Sequence, residues 1–303
     1  MSRKAKIWIG VGLYVAIFVI LALVFGSDGK NDAYQPQNEF KLDPWVAINI
    51  GGIDLSISKA VFYLALASVL TIATMTWIAR RMTREPNKVQ MAVELAYDLT
   101  RKTITNDNLP DEKIARRWFP FLAGLFFFLW FSNMIGFLPL PINTEAKVSV
   151  FGLEIPSLAF YAATANLSIP LALTLVVWFS YHIEGIRAKG FFKYLASWLP
   201  PGLENMNIFG KAFFFVIEAI SHFARLISLS VRLFANILAG HLLLLFMGGG
   251  LAVLLGIAAL GLLTFPLAFV FFILEVGLIA TLQAFIFSTL TAIYLGGATG
   301  EAH

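Results

Sequence analysis

Long apolar runs alternate with short polar segments along the 303-residue chain. Several runs reach or exceed the roughly 20 apolar residues that an α-helix needs to cross a bilayer, and a water-soluble core has no reason to repeat them. The pattern predicts an all-α, polytopic membrane protein with about six membrane helices. The predicted spans are residues 7–25, 60–79, 118–140, 164–181, 208–246 and 251–295.

The composition agrees with this class of protein, since 59% of the residues are hydrophobic and only 13% are charged. The chain contains no cysteine, which excludes disulfides, thiolate catalysis and zinc–thiolate sites. The net charge is only +4 and most basic residues lie in loops, so no nucleic-acid partner is implied. No motif predicts a bound metal or cofactor.

The distribution of Lys and Arg predicts the orientation of the chain. The N-terminus and segments 80–117 and 182–211 together hold 16 of these residues, whereas segments 27–59 and 141–163 hold 4. Basic loops are retained in the cytoplasm. We therefore expect the N-terminus, both basic segments and the C-terminus to be cytoplasmic.

Residues 1–59 are predicted to form an N-terminal part that precedes a main membrane domain at 60–303. The run 7–25 follows a short basic segment, so it is either a membrane anchor or a signal-like helix, and its 19 residues favour an anchor. Residues 27–58 are rich in Gly, Asn and Asp, which predicts an external loop or a short hairpin.

Segment 86–105 is too polar to cross a bilayer but repeats apolar residues at helical intervals. These apolar residues are Val89, Ala92, Val93, Ala96 and Tyr97. We predict an amphipathic helix on the cytoplasmic membrane surface. A solvated helix docked on a partner is the alternative.

The last two apolar runs are longer than one membrane crossing requires. A helix of about 45 residues is about 65 Å long, twice the hydrocarbon thickness of a bilayer. We predict two long, strongly tilted helices that are joined at residues 247–250 and form a hairpin around the curved side of a large partner. Gly256, Gly261 and Pro266 could supply a bend or a break.

Ionisable side chains interrupt these runs at Glu218, Arg225, Arg232, His241 and Glu275. Such a side chain costs roughly 2.5–3.5 kcal/mol at the centre of a membrane helix, so the retention of all of them implies a functional site.

Helical spacing arranges these residues on two sides of one helix. Glu218 and Arg232 share a face with Arg225, because steps of seven residues rotate by only about 20°. Ser228 and Asn236 extend this face at steps of four. His241 is rotated from Arg232 by roughly 180° and displaced by about 13 Å along the axis.

A fixed charge between titratable groups is suited to directed proton transfer. The guanidinium of Arg232 cannot lose its proton, so it attracts a carboxylate and repels a passing proton. Histidine and glutamate can bind and release protons near neutral pH. The alternatives are structural: Arg225 as an interfacial residue, Glu218 paired with Arg225 or His222, and His241 as a packing residue.

Four motifs carry a resemblance to a known family. They are "SLSVRLFANILAGH" at 228–241, "FPFLAGLFFFLWFSNMIGFLPLP" at 119–141, "TANLSIPLALTL" at 164–175 and "LQAFIFSTLTAIYLGGA" at 282–298. In this order they resemble the subunit a family of the F-type ATP synthases, and the resemblance covers most of residues 86–303. It implies a non-catalytic, proton-conducting stator subunit of the bacterial plasma or inner membrane, with the c-ring, the peripheral-stalk subunit b and the remaining synthase subunits as partners.

The resemblance also implies roles for particular residues. Arg232 is similar to the family's essential arginine, which faces the c-ring carboxylate. Glu218, with Ser228 nearby, is similar to the acid of the cytoplasmic half-channel. The polar residues of the external half-channel correspond to Asn236, His241, Glu275 and Gln283.

The chain departs from the family pattern at three points. Ala235 replaces a glycine, and His241 and Glu275 carry the histidine and glutamate in exchanged positions. Glu275 also precedes Gln283 by eight residues where the family pattern has seven. In a regular α-helix this extra residue turns Glu275 away from Gln283 by about 100°.

Two other classes of function compete with this interpretation. An ion-coupled secondary transporter with a charged midplane site is the alternative, although such folds often show paired repeats and none is visible in the sequence. A membrane-embedded hydrolase is disfavoured because the motifs His-Glu-x-x-His and Gly-x-Ser-x-Gly do not occur. The chain also lacks a Gly-x-x-x-x-Gly-Lys loop, so any ATP chemistry belongs to partner subunits.

Overall fold

A computed structural model describes residues 3–25, 42, 44–46, 48–50, 53–54, 56–83, 87–109, 111–137, 148–150, 153–155, 162–199 and 207–300. These residues are mainly helical. The helices are α1 (Arg3–Phe25), α2 (Lys59–Arg81), α3 (Lys88–Asp98), α4 (Glu112–Gly136), α5 (Ser168–Lys189), α6 (Phe191–Ala196), α7 (Ile208–Leu245), α8 (Leu251–Leu255), α9 (Ala258–Leu274) and α10 (Ala280–Thr299).

Five described helical segments are long and apolar enough to cross a membrane. They are Lys59–Arg80, Glu112–Gly136, Ser168–Lys189, Ile208–Val253 and Thr264–Thr299. The predicted all-α, multi-pass architecture is confirmed. The sixth predicted span coincides with α1, in which the apolar stretch Trp8–Ile17 is shorter than the others, and its role as anchor or signal stays a prediction.

Short antiparallel hairpins accompany the helices. Before α2, β1 (Pro44–Val46) pairs with β4 (Ile57–Ser58), and β2 (Asn49–Ile50) pairs with β3 (Ile53–Asp54), as predicted for part of 27–58. The rest of that segment lies outside the described residues. The third hairpin was not predicted, although its sequence alternates apolar and polar residues, and it pairs β5 (Val148–Val150) with β6 (Leu153–Ile155).

The predicted surface helix is present as α3 and continues as a π-helix over Leu99–Asn106. Its first turn is capped because the Asn87 side chain accepts a hydrogen bond from the backbone N–H of Gln90 at 2.8 Å. The π-helical part packs against α4 and α10, whereas Val89 and Leu95 on α3 are exposed. Contact with a membrane surface stays a prediction.

Helix α4 lies at the centre of the described fold, where it packs against α2 and α10. Its side chains Leu122, Phe127 and Leu129 are fully buried, and so is Phe287 of α10. Lipid tails are as apolar as these side chains, so it is their close van der Waals packing, not their removal from water, that holds the helices together. Helix α10, which carries Gln283, is therefore held against α4, whereas α7 packs mainly against α5.

Buried polar contacts join two of the sequence motifs to each other and to the start of α10. Asn133 of α4 accepts a hydrogen bond from the Thr164 hydroxyl at 2.9 Å and donates one to the carbonyl of Ala280 at 3.4 Å. Asn133 and Thr164 are both fully buried. Thr164 lies in a 3₁₀ turn, Ala163–Ala165, so the helix predicted to begin at 164 begins four residues later.

The last two long segments form an antiparallel hairpin. Asn236 of α7 contacts Gln283, and Arg225 of α7 contacts Tyr294 further along α10. The chain leaves helical geometry at Gly249 (φ 139°) and again at Gly256 (φ 75°), with α8 between them. The join predicted at 247–250 is therefore only the first half of the reversal.

Only one of the three other predicted bend positions breaks the helix. Gly256 adopts the left-handed conformation, which a residue with a Cβ adopts only at a cost. Gly261 and Pro266 both lie inside α9, so neither of them breaks the helix, and a bend at either position stays a prediction. A proline within a helix removes one backbone hydrogen bond, and the remaining bonds and packing keep α9 continuous.

The left-handed conformation gives a test of the reversal. We expect Gly256→Ala to destabilise the full-length chain by about 1–2 kcal/mol, because alanine disfavours this backbone conformation. The matched control is Gly124→Ala, since Gly124 lies within α4 and a methyl group added there would meet no neighbouring atom within 4 Å. The thermal unfolding midpoint in detergent should fall for the first variant and stay or rise for the control, and equal midpoints would contradict the assigned turn.

Candidate functional site

Arg232 lies near the middle of α7 and is exposed. It has no ion-pair partner among the residues that the structure describes. The other residues on this face are small or polar and also exposed, and they are Ser228, Ala235, Asn236 and Ala239. The predicted shared face of Ser228, Arg232 and Asn236 is confirmed. A fixed charge therefore lies on a surface that a partner helix could approach closely.

A first cluster of charged groups lies toward the start of α7. We call this end of the helix the basic end, because basic residues of α4 and α5 lie near it. Arg117 and Arg187 bracket the carboxylate of Glu184 at 3.2 and 3.7 Å there. Glu218 accepts a hydrogen bond from the Arg225 guanidinium at 3.2 Å. The Nε2 atom of His222 is 3.7 Å from the same carboxylate oxygen. The structural pairing considered from sequence is thus present.

A second cluster lies toward the end of α7, which we call the opposite end. The amide of Asn236 donates a hydrogen bond to Oε1 of Gln283 at 2.8 Å. Gln283 is almost fully buried, and its own Nε2 group has no hydrogen-bond partner among the described residues. A buried donor without an acceptor is unfavourable, so a bound water molecule would stabilise this group.

Glu275 reaches the same region from the other arm of the hairpin. Its side chain is buried at 6% exposure and lies against Gly240 of α7, where any Cβ would overlap the carboxylate. The carboxylate oxygen Oε2 has no hydrogen-bond partner in the described part of the chain. Gly240 is thus the residue that allows Glu275 to approach the α7 backbone.

A π-helical turn over Glu275–Ile279 explains how Glu275 faces α7. A π turn accommodates one more residue than an α turn without changing the direction of the flanking helix. The extra residue between Glu275 and Gln283 is absorbed there, so both side chains contact α7, at Gly240 and Asn236 respectively. The expected divergence of about 100° was wrong because it assumed a regular α-helix.

His241 is held by two backbone carbonyl groups. Its Nδ1 is 2.9 Å from the carbonyl oxygen of Ile237 and its Nε2 is 2.8 Å from that of Gly136. The ring also stacks on Phe137 with centroids 4.7 Å apart. A neutral imidazole has one N–H and can donate to only one of these oxygens, whereas the protonated ring can donate to both. His241 faces α4, away from Arg232, as its spacing predicted.

The structure brings most of the predicted residues into two groups. Asn236 contacts Gln283, and Glu275 contacts Gly240, the residue before His241. No ion pair joins Glu275 to His241 in the described ranges. Ser228 lies between the two ends of α7, and no hydrogen bond joins it to either group among the residues that the structure describes.

Sequence reasoning missed several side chains that complete the basic end. The hydroxyl of Tyr181 lies 3.1 Å from Nδ1 of His222, and the Arg225 guanidinium lies over the ring of Tyr294 at 5.6 Å. His182 and Tyr194 form a further pair at 2.6 Å. The spacing of His222, one turn after Glu218, indicated that these two residues are close. No sequence pattern indicated the partners of His222 on other helices.

Known proteins with similar sequences agree with this architecture. The profile of the family described as ATP synthase A chain matches residues 61–296. ATP synthase subunit a of Campylobacter hominis is 36% identical over 238 residues, which cover 78% of this chain and 88% of that protein. ATP synthase subunit a of Helicobacter pylori strain P12 is 35% identical over 245 residues, with coverages of 78% and 89%.

The fold and the site define a multi-pass membrane protein with a charged, exposed helix face between two polar clusters. With a family match that spans more than half of the sequence, the chain belongs to the ATP synthase subunit a family.

The π turn can be tested by changing its length. We expect deletion of Gly277 to preserve the approach of residue 275 to residue 240, because seven residues in a regular α-helix return nearly to the same face. Deletion of both Gly277 and Leu278 should rotate residue 275 away by about 100°. Since the chain has no cysteine, the pair Gly240→Cys and Glu275→Cys can report proximity by oxidation or a short dithiol-reactive reagent.

Cross-linking should occur in the parent and in the single deletion and should be lost in the double deletion. Equal cross-linking in all three backgrounds would show that the π turn does not set the facing of residue 275.

Proposed function

We propose that the chain is the proton-conducting stator subunit of a bacterial F-type ATP synthase. The exposed guanidinium of Arg232, without an ion-pair partner among the described residues and between two separate polar clusters, is the observation that carries the proposal. Family membership supports the same role. ATP chemistry belongs to other subunits, and this chain supplies the ion path.

The two clusters are proposed to be two offset half-channels. Along α7, Glu218 is about 21 Å from Arg232, and His241 is about 13 Å beyond it. A proton cannot pass Arg232 directly because the fixed positive charge repels it. The basic end is assigned to the cytoplasm and the opposite end to the outside, on the distribution of Lys and Arg.

The external half-channel comprises Asn236, His241, Glu275 and Gln283. One oxygen of Glu275 and the amide of Gln283 lack partners among the described residues, which favours this assignment because such buried groups are stabilised by water or a transferred proton. Glu275 acts as the titratable group. His241 lies between two carbonyl acceptors, and only the protonated ring can donate to both of them at once.

The exposed face around Arg232 is proposed to contact the c-ring. Its small residues permit close helix–helix approach, which is how membrane helices pack. A c-ring carboxylate that is protonated can enter lipid, whereas the ionised form is retained near the guanidinium. Rotation follows from this difference in charge, and a membrane potential supplies about 2.3 kcal/mol per charge per 100 mV.

The cytoplasmic half-channel begins where the c-ring carboxyl releases its proton and leads past Ser228 to Glu218. Ser228 is exposed on the same face as Arg232, and its hydroxyl can pass a proton from the ring to water molecules that lead to Glu218, about 15 Å away along α7. Subunit b of the peripheral stalk and the bilayer complete the proposed partners, with the chain in the plasma membrane and both termini in the cytoplasm. Membership of the family gives the transporter alternative no further support.

Replacement of Arg232 tests the proposal most directly. We expect Arg232→Ala and Arg232→Lys each to abolish ATP-driven acidification of inverted membrane vesicles while ATP hydrolysis continues. Lysine retains the charge but not the planar guanidinium. The matched control is Arg116→Gln, because Arg116 is highly exposed and pairs with Glu112, one turn earlier. Near-native pumping by either Arg232 variant would overturn the proposal.

The external half-channel predicts graded effects on pumping. We expect Glu275→Gln to slow ATP-driven pumping by about tenfold or more, because the amide cannot exchange a proton. Gln283→Leu should have a smaller effect, since a neutral amide only positions the carrier. Ser288→Ala is the control, because Ser288 is buried on the same helix and its hydroxyl has no partner among described residues. The assignment fails if Glu275→Gln pumps as fast as the Ser288→Ala control.

A further inference from the structure

A buried histidine, His222, lies beside Glu218 at the basic end, and a second, His182, lies next to it. His182 and His222 are 8% and 7% exposed, and their ring centroids are 4.9 Å apart. Neither has a role in the half-channels described above. We propose that His222 is a further proton-transfer residue, which takes the proton from Glu218 and passes it to the cytoplasmic solvent. This inference rests on the proposed function and adds a step to its cytoplasmic half-channel.

The two ring nitrogens of His222 face different groups. Nε2 is 3.7 Å from Oε1 of Glu218, and Nδ1 is 3.1 Å from the hydroxyl of Tyr181. The first distance is longer than a hydrogen bond and is within reach of a bridging water or a small side-chain rotation. The imidazole therefore lies between an acid and a hydroxyl, with one nitrogen toward each.

An open cavity gives this relay access to solvent. Its volume is about 390 Å³, and its walls include Glu218, His222, Tyr181, Arg225 and Tyr194. A water molecule occupies about 30 Å³ of liquid volume, so the cavity admits several. The acid, the imidazole and the hydroxyl all border the same space. His182 does not line it.

The charges around His222 favour passage of a proton over its retention. The groups that face it are Glu218 and Arg225 on α7, Tyr181 and His182 on α5, Tyr194 on α6 and Tyr294 on α10. Arg225 is held by Glu218 at 3.2 Å and by the ring of Tyr294. Its positive charge repels an imidazolium at His222, so a proton that arrives there is passed on quickly.

His182 has different hydrogen-bond partners from His222, so it serves as a comparison within the same cluster. Burial raises the pKa of the Tyr194 hydroxyl, so this group stays protonated near neutral pH and can donate to Nδ1 of His182 at 2.6 Å. The remaining nitrogen then carries the hydrogen, and it is buried without a partner among the described residues. His182 is therefore fixed in one neutral tautomer, and its bond to Tyr194 leaves it outside the path from Glu218.

The proposed step conserves protons and charge. The O–H bond of protonated Glu218 breaks and an Nε2–H bond forms, which gives a carboxylate and an imidazolium. The Nδ1–H bond then breaks as Tyr181 accepts that proton and releases its own hydroxyl proton to solvent in the cavity. The imidazole ends in the other neutral tautomer, and proton exchange with the same solvent restores the first.

The test measures passive proton flux through the complex in inverted vesicles from which the ATP-hydrolysing subunits have been removed. A potassium diffusion potential drives the flux, and the cytoplasmic side faces the medium. We expect His222→Phe to lower the initial rate by about tenfold. The dependence of the rate on medium pH between about 5 and 8, where imidazole titrates, should also flatten.

Chemical rescue separates proton transfer from packing. His222→Ala opens space beside the cavity, so imidazole added to the medium should restore flux in this variant, measured against native vesicles with the same addition. His222→Phe fills that space and should not respond. His182→Phe is the matched control, a buried histidine of the same cluster, and should retain both the rate and the pH profile of the native chain.

Two results would overturn the inference: a native rate and pH profile in His222→Phe, or a loss in His222→Ala that imidazole does not restore. ATP-driven pumping by Arg232→Ala is measured in intact vesicles of the same preparation. Near-native pumping there would overturn the proposed function, whereas failure of the His222 variants alone removes only this added step.

Discussion

Arg232 carries a fixed positive charge, and it lies on an exposed face of a mainly apolar helix. Such a charge is stable in a membrane only if water or an anion reaches it. No described residue of the chain supplies the anion. The surroundings agree with this requirement. The neighbouring side chains on this face are small or polar, the titratable groups lie toward either end of α7, and α5 and α10 pack against the helix.

The fold was largely predictable because its main signal is local. Runs of apolar residues reveal membrane helices without knowledge of their neighbours, and the five described spans lie close to their predicted positions. The boundaries were less accurate: α4 begins at Glu112 and α5 ends at Lys189, because a helix continues into water as long as its backbone hydrogen bonds are satisfied. The reversal of chain direction between α7 and α9 was predicted at residues 247–250 only. In the structure it extends to Gly256, because the chain turns at two glycines with positive φ, Gly249 and Gly256.

The candidate site was predictable in its membership more than in its contacts. Ionisable residues inside apolar runs can be recognised in the sequence as candidate site residues. Helical spacing also places Arg232 and His241 on opposite sides of α7, as the structure does. Contacts between distant helices leave no comparable pattern. The pairing of Asn133 with Thr164, the approach of Glu275 to Gly240 and the partnership of Tyr181 with His222 are all of this kind. These contacts depend on how the helices pack against one another, and residue spacing within one helix does not predict that packing.

The π turn after Glu275 has a consequence for comparing sequences of this family. Two chains that differ by one residue between the acid and the amide can present the same pair of side chains to α7, because the turn absorbs the insertion or deletion locally. An alignment without a gap at this point matches the acid to the wrong neighbour. The gap belongs inside residues 275–279, where a change of chain length leaves the helices on both sides in register.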